Sequence, residues 1–269
     1  MDKKLGFIGA GNMATAIMGG IIKADSEMKK NIIVSDLSPE IRKLRKNELG
    51  VKVVNRNTTV AELADIIFLC VKPHLIETVI KEIKKHCDKD KIIVSIAAGK
   101  TLEQLRAAFE GKDVKIIRTM PNTPALVNRG TTAICPGEGV PKEDIKTVTE
   151  IFNMFGTATV ILEEQMHAFI GVAGSSHAYA FMFIEALADA GVKHGLSRAD
   201  AINFAAGALM GAAQMVISTP THPAALRDAV CSPGGTTIAA VAELENHGFR
   251  NAIIKAAEIC IQKSIEMSK

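Results

Sequence analysis

Short runs of branched apolar residues alternate with amphipathic stretches through the first 160 or so positions of the chain, and then the runs stop. Strand-like runs fall at 5–8, 32–35, 66–71, 92–96 and 114–118, and helical spacing fills 12–24, 39–48, 78–86 and 102–109 between them. Strands separated by helices predict βαβ crossovers and a mostly parallel sheet, because parallel neighbours cannot be joined by a tight turn. Two further runs, 131–135 and 158–160, flank a helix at 142–155. A sheet of seven or eight strands with helices on both faces is expected.

From about Leu162 no convincing strand occurs, and long Ala-, Met- and Leu-rich text takes over at helical period. Helices are expected at 164–194, with a break near Gly171 or Gly174, and at 197–217, 224–230, 236–246 and 249–263. Ser197 followed by Asp200 has the form of an N-cap with an acidic first turn. The expected division is therefore 1–161 for the sheet-bearing domain and 162–269 for an all-α domain. Several of these helices lack a strongly polar face, so part of the second domain is expected to bury against a second subunit.

Composition narrows the class. At 48% hydrophobic and 23% charged the chain is globular, and with 4% aromatics, no Trp, 21 Gly and 11 Met its core must be aliphatic, Ala and Met packing. A net charge of +3, from 32 basic and 29 acidic residues, points to neither nucleic acid nor a membrane surface as partner. The five cysteines form no CxxC pair, which fits reduced thiols rather than zinc or disulfides, and no metal is expected. The first residues run directly into a strand pattern with no secretory-type apolar stretch, so a cytoplasmic chain is expected. The apolar text at 168–184 is interrupted by Ser175, Ser176 and His177 and closed by Glu185, which favours a buried or interface helix over a membrane span.

The chemistry begins at Gly9-Ala10-Gly11-Asn12-Met13-Ala14, a G-x-G-x-x-A string between the first strand and the first helix. Gly9 would make the tight turn, Gly11 would let backbone approach a pyrophosphate, and Ala14 would let helix and sheet pack closely, with the helix amino end facing the anion. The second strand ends Val34-Ser35-Asp36-Leu37-Ser38-Pro39, with Arg42, Lys43 and Arg45 downstream. An acid there favours NAD, whereas a hydroxyl with a nearby cation favours the 2′-phosphate of NADP, and the segment contains both. Val71-Lys72-Pro73 and Ser95-Ile96-Ala97-Ala98-Gly99 lie at the carboxyl edge of the sheet, where ligands bind in open α/β folds. Lys72 and Ala97 are accordingly placed at a cofactor crevice. Asn122 and Thr123, in the loop Arg118-Thr119-Met120-Pro121-Asn122-Thr123-Pro124, can donate hydrogen bonds near a nicotinamide.

A second glycine-rich string, Cys231-Ser232-Pro233-Gly234-Gly235-Thr236-Thr237, lies between two helices of the strandless half. Successive N–H groups in such a turn, leading into a helix amino end, suit a substrate carboxylate.

With these strings the chain resembles the pyrroline-5-carboxylate reductase family nearly end to end. The likeness runs through Phe7-Ile8-Gly9-Ala10-Gly11-Asn12-Met13, Val71-Lys72-Pro73, the 95–99 and 118–124 strings and Gly174-Ser175-Ser176. It continues through Glu185-Ala186-Leu187-Ala188-Asp189-Ala190-Gly191 and Leu226-Arg227-Asp228 to the 231–237 string, which is the family's signature. The resemblance implies a Rossmann domain followed by an all-α dimerisation domain of the 6-phosphogluconate dehydrogenase C-terminal type. It implies an obligate homodimer, in many members assembled further, up to decamers. The implied activity is reduction of the C=N bond of 1-pyrroline-5-carboxylate to L-proline, the last step of proline biosynthesis, with NADPH as usual donor and NADH accepted by some members. It places Asn57 near the cofactor's adenosine side, and the substrate between the nicotinamide and the Ser232–Thr237 loop.

The expected cofactor set is therefore Gly9, Gly11, Asn12, Met13, Ser35, Asn57, Val71, Lys72, Pro73, Ala97 and Asn122. Ser232, Pro233, Gly234, Gly235, Thr236 and Thr237 are expected on the substrate, with the Thr237 hydroxyl orienting the ring nitrogen. Protonation of the imine from solvent would require no buried acid, and the loops contain none. Two departures from the family pattern stand out: His177 replaces a proline after Ser176, and Ser218-Thr219-Pro220-Thr221 precedes His222-Pro223 where Gly-Glu is common. A buried, hydrogen-bonded His177 is expected. A hydroxyacid dehydrogenase would need a lysine base in the helical half, where Lys193 is the only lysine between Leu162 and Ile254. A nucleotide sensor without turnover would need no second anion loop.

Overall fold

The computed structural model describes residues 3–268. Its eight strands are β1 (Leu5–Ile8), β2 (Ile32–Ser35), β3 (Lys52–Val54), β4 (Ile66–Leu69), β5 (Ile92–Ser95), β6 (Lys115–Met120), β7 (Gly130–Pro136) and β8 (Gly156–Val160). They form one sheet in the order β3-β2-β1-β4-β5-β6-β7-β8, parallel throughout except for the antiparallel pair β6–β7. The helices of this half are α1 (Asn12–Ala24), α2 (Pro39–Leu49), α3 (Asn57–Leu63), α4 (Ile76–Ile83), α5 (Leu102–Ala108) and α6 (Lys142–Asn153).

Strands β1, β2, β4 and β5 are buried at every position, as continuous apolar runs covered on both faces must be. Their alternation makes two cores. Leu5, Phe7, Val34, Phe68 and Val94 face α1 and α6, while Ile8, Ile33, Ile67, Leu69 and Ile93 face α3, α4 and α5. Phe7 stacks on Phe68 at 4.6 Å, and Phe68 meets Phe152 edge-on at 6.1 Å. The expected strands and helices of this half are present, and β3 and α3 are additional. A Cβ at Gly6 would stand 2.6 Å from both Ala64 and Val60, so the glycine of β1 is what lets α3 lie close against the sheet.

Beyond β8 the chain is helical: α7 (Met166–Phe169), a π-turn at Ile170–Gly174, α8 (Ser176–Lys193), α9 (Arg198–Ser218), α10 (Pro223–Ala229), α11 (Thr236–Asn246) and α12 (Phe249–Glu266). The helix expected at 164–194 is interrupted by this π-turn, which contains both Gly171 and Gly174. Ser197 caps α9 through its hydroxyl, which accepts from the Asp200 N–H at 3.1 Å.

Strand structure ends at Val160, next to the expected division at 161, but the compact units divide elsewhere. One unit comprises the chain through Gly174 together with the segment from Cys260, and the other is Ser175–Ile259. The sheet-bearing unit keeps residues beyond 161 because Met166 packs with Met120, Ala133 and Cys135, and Phe169 and Ile170 pack against that cluster. The end of α12 belongs to it as well, with the Ser264 hydroxyl 2.9 Å from Nδ1 of His167.

In the second unit large apolar side chains such as Phe181, Met182, Phe204, Met210 and Ile217 are exposed on the single chain. Among the described residues α9 is long and apolar enough to cross a bilayer by length and composition. His177 is half-buried, not buried as expected, and its ring meets edge-on at 6.0 Å that of Phe181, one turn on along α8 and itself largely exposed.

Candidate active site

The chain reverses sharply at the carboxyl end of β1. Gly9 has φ +94°, and its N–H donates to the Ser35 carbonyl at 2.9 Å. A methyl there would stand 2.9 Å from the Cys70 carbonyl oxygen, so the turn can pass only as glycine. Gly11 then caps α1 in ordinary extended backbone, with no side chain satisfying the first N–H groups of the helix and no acidic residue in its first turn. A Cβ on Gly11 would meet nothing within 4 Å. That combination of open space over an uncapped helix amino end fits a pyrophosphate.

The turn opens into a cleft of about 660 Å³ at the carboxyl ends of β1, β4 and β5. Gly9, Gly11, Asn12, Met13, Asn57, Val71, Lys72, Pro73 and Ala97 of the expected cofactor set line it. Ser35 stands behind the wall: its hydroxyl donates to Asn57 Oδ1 at 2.8 Å, and Asn57 Nδ2 donates to Glu82 Oε2 at 2.7 Å. Asn122 is placed differently from the expectation. It is buried, its Nδ2 donates to the Ala173 carbonyl at 2.9 Å and its Oδ1 accepts from the Thr131 N–H at 2.8 Å, so it braces its loop, and Thr123 lines the cleft in its place.

Asp36, Glu82, Thr78 and Leu126 also line the cleft. Asp36 was legible as the acid that ends β2. Glu82 was not, because its text is an ordinary lysine-rich helix and only the orientation of α4 brings it to Asn57. Cys70 lines the cleft too, with burial pushing its thiol up from the ordinary range.

The second glycine loop lies in the other unit and is exposed on the single chain. Gly234 sits at φ +68°, and the Gly235 N–H donates to the Ser232 carbonyl at 3.0 Å, closing a turn that leads into α11. Gly235 caps that helix without a side-chain acceptor, so the first N–H groups of α11, at Thr236 and Thr237, lack an intrahelical partner. Among the described residues no group of His, Cys, Asp and Glu side chains is arranged to hold a metal.

Fold and cleft together define a Rossmann-type dinucleotide-binding protein with an all-helical second part. Residues 4–99 match the profile described as NADP oxidoreductase, coenzyme F420-dependent, and residues 163–267 that of pyrroline-5-carboxylate reductase dimerisation. The pyrroline-5-carboxylate reductase of Escherichia coli strain K12 is 51% identical over 269 residues, the whole of both chains. The solved reductase of Coxiella burnetii superimposes with a TM-score of 0.93 at 33% identity over all of both chains. The Plasmodium falciparum enzyme, solved with NADP bound, gives 0.89 at 33% identity over all of this chain and 99% of that one. The chain belongs to the pyrroline-5-carboxylate reductase family.

Proposed function

We propose that this chain reduces the C=N bond of 1-pyrroline-5-carboxylate to L-proline at the expense of NAD(P)H, the closing step of proline biosynthesis. Family membership supplies the substrate. The observation that carries the reading is the Gly9–Met13 turn, which opens the uncapped end of α1 into the cleft.

Each part of the chain has a defined task. The backbone N–H groups after Gly11 hold the pyrophosphate, Asn57 holds the adenosine end under the control of Ser35 and Glu82, and Val71, Lys72, Pro73 and Ala97 wall the crevice. Asn122 acts by fixing the loop that presents Thr123. Reduced nicotinamide, when bound, supplies the hydride that adds to the imine carbon. In the second unit, the turn closed by the Gly235 N–H on the Ser232 carbonyl presents the first backbone N–H groups of α11, at Thr236 and Thr237, and these with the hydroxyls of Ser232 and Thr236 hold the substrate carboxylate. Thr237 orients the ring nitrogen through its hydroxyl. The nitrogen takes its proton from solvent before binding, so positioning and electrostatics carry the rate, with no carboxylic acid in the loop.

The working form is a homodimer whose partner covers the exposed apolar helices, α9 included, in place of a bilayer, and dimers assemble further, up to decamers. It acts in the cytoplasm, with no nucleic acid or membrane as partner. A steady-state comparison of NADPH and NADH oxidation, with the five-membered imine and with its six-membered homologue, tests the activity. Turnover of the five-membered imine is expected, and turnover of neither would overturn the assignment.

A further inference from the structure

The adenosine end of the cleft carries charges that imine reduction does not require. Asp36 follows β2 directly and lines the cleft. Its Oδ2 accepts from the Ala10 N–H at 2.9 Å and its Oδ1 from the Ser38 N–H at 2.9 Å. The carboxylate is thereby pinned between the glycine turn and the loop after β2, and it cannot swing away from an incoming ligand. Each oxygen keeps a second lone pair, so the pinned group can still accept from a hydroxyl.

Of the cations downstream, Arg42, Lys43 and Arg45, the two arginines are engaged within the protein. Arg42 Nη1 donates to the carbonyls of Asp36 at 2.7 Å and Leu37 at 2.9 Å. Arg45 Nε donates to the Ala10 carbonyl at 3.1 Å, and its Nη1 pairs with Glu48. Neither arginine lines the cleft, where among the described residues Lys72, after β4, is the cation and Asp36 and Glu82 are the anions. A ribose with free hydroxyls offers donors to a fixed carboxylate, whereas a 2′-phosphate brings a like charge against it.

We infer that Asp36 sets the choice of dinucleotide in this chain: it accepts a hydroxyl of the adenosine ribose and holds off a 2′-phosphate, so that NADH serves the cleft at least as well as NADPH. The inference rests on the reductase reading only in that the cleft takes a dinucleotide, and not on which imine is reduced.

Calorimetric titration of the full-length protein with ADP-ribose and with 2′-phospho-ADP-ribose tests it without turnover, since both ligands lack nicotinamide. The wild-type protein is expected to bind ADP-ribose at least as tightly as its 2′-phosphate. Asp36→Asn keeps an acceptor for Ser38, removes the charge and moves the ratio of the two Kd values about tenfold or more toward the 2′-phosphate. Arg42→Ala is expected to leave the wild-type order unchanged. Tighter binding of the 2′-phosphate than of ADP-ribose to the wild type overturns the inference, as does a ratio unmoved in a folded Asp36→Asn protein or 2′-phosphate binding abolished by Arg42→Ala. The wild-type order decides even where Asp36→Asn does not fold. Binding of both ligands in the opposite order removes the role of Asp36 and leaves the reductase reading standing, whereas binding of neither removes both.

Discussion

Gly9 and Gly11 are two residues apart in one motif, yet the geometry assigns them different tasks, and alanine at each separates the two. At Gly9, φ is +94°, and the new methyl would lie 2.9 Å from the Cys70 carbonyl oxygen, 3.0 Å from its carbon and 3.0 Å from Val71 Cγ1. Two of those three atoms are backbone and cannot rotate away. The conformation costs about 1–2 kcal/mol for a residue with a Cβ, and forcing a methyl into a filled space costs about 1–3 kcal/mol more. Gly9→Ala should therefore destabilise the sheet-bearing unit by about 2–5 kcal/mol. At Gly11, φ is −69° and ψ −174°, which any residue adopts, and nothing lies within 4 Å of the new methyl. Alanine there gives up under about 1 kcal/mol as an N-cap, but its methyl stands in the cleft over the helix amino end. Urea unfolding followed by circular dichroism, with NADPH binding followed by nucleotide fluorescence, distinguishes the two. Gly9→Ala should lower the unfolding midpoint clearly, while Gly11→Ala should leave it nearly unchanged and weaken NADPH about tenfold or more. Equal loss of stability in both variants, or normal NADPH affinity in Gly11→Ala, would refute the assignment of turn and cradle.

Other perturbations test separate parts of the account. Glu163 Oε1 accepts from the Leu102 N–H at 2.7 Å and from Nη1 of Arg118, a side chain 1% exposed, at 2.9 Å. Glu163→Ala should cost about 3 kcal/mol by leaving a buried guanidinium unpaired, and the double variant Arg118→Met/Glu163→Gln should recover most of that in the same unfolding assay. Burial and Arg118 lower the pKa of His167, outweighing Glu163, so the unfolded chain takes up the proton first. Stability should then be full above the ordinary histidine range and fall as pH drops through it, and His167→Gln should flatten that slope in pH-dependent melting. Burial pushes the Cys87 and Cys135 thiols up to about 11, so at pH 8 neither should react with an aromatic disulfide reagent until denaturant is added, as peptide mapping of the labelled chain will report. Thr237→Ala should lower kcat far more than NADPH affinity; an equal loss of both, or of neither, contradicts its place on the ring nitrogen.

Much of this was legible from residues alone, and the exceptions have physical causes. Buried parallel strands announce themselves as unbroken apolar runs, so β1, β2, β4 and β5 could be read directly. β3 could not, because Lys52–Val54 is a three-residue edge strand with only partial burial, and α3 is too short to show a period. The glycine turn was legible because its function is carried by missing side chains. Asn122 read as a ligand-facing amide because sequence shows which groups can donate and not which acceptors reach them first; Ala173 lies 51 positions away along the chain. Glu82 depended on the same kind of long-range placement. The boundary between compact units was hidden for a related reason, since the end of α12 packs with α7 through Ser264 and His167, almost a hundred residues apart.

Proline made at the expense of reduced nicotinamide is tested most directly by product stoichiometry. Purified protein, 1-pyrroline-5-carboxylate and limiting NADPH or NADH should yield one proline, by amino-acid analysis, for each reduced nicotinamide consumed. Nicotinamide oxidised without proline, or no oxidation with either donor, would contradict the account.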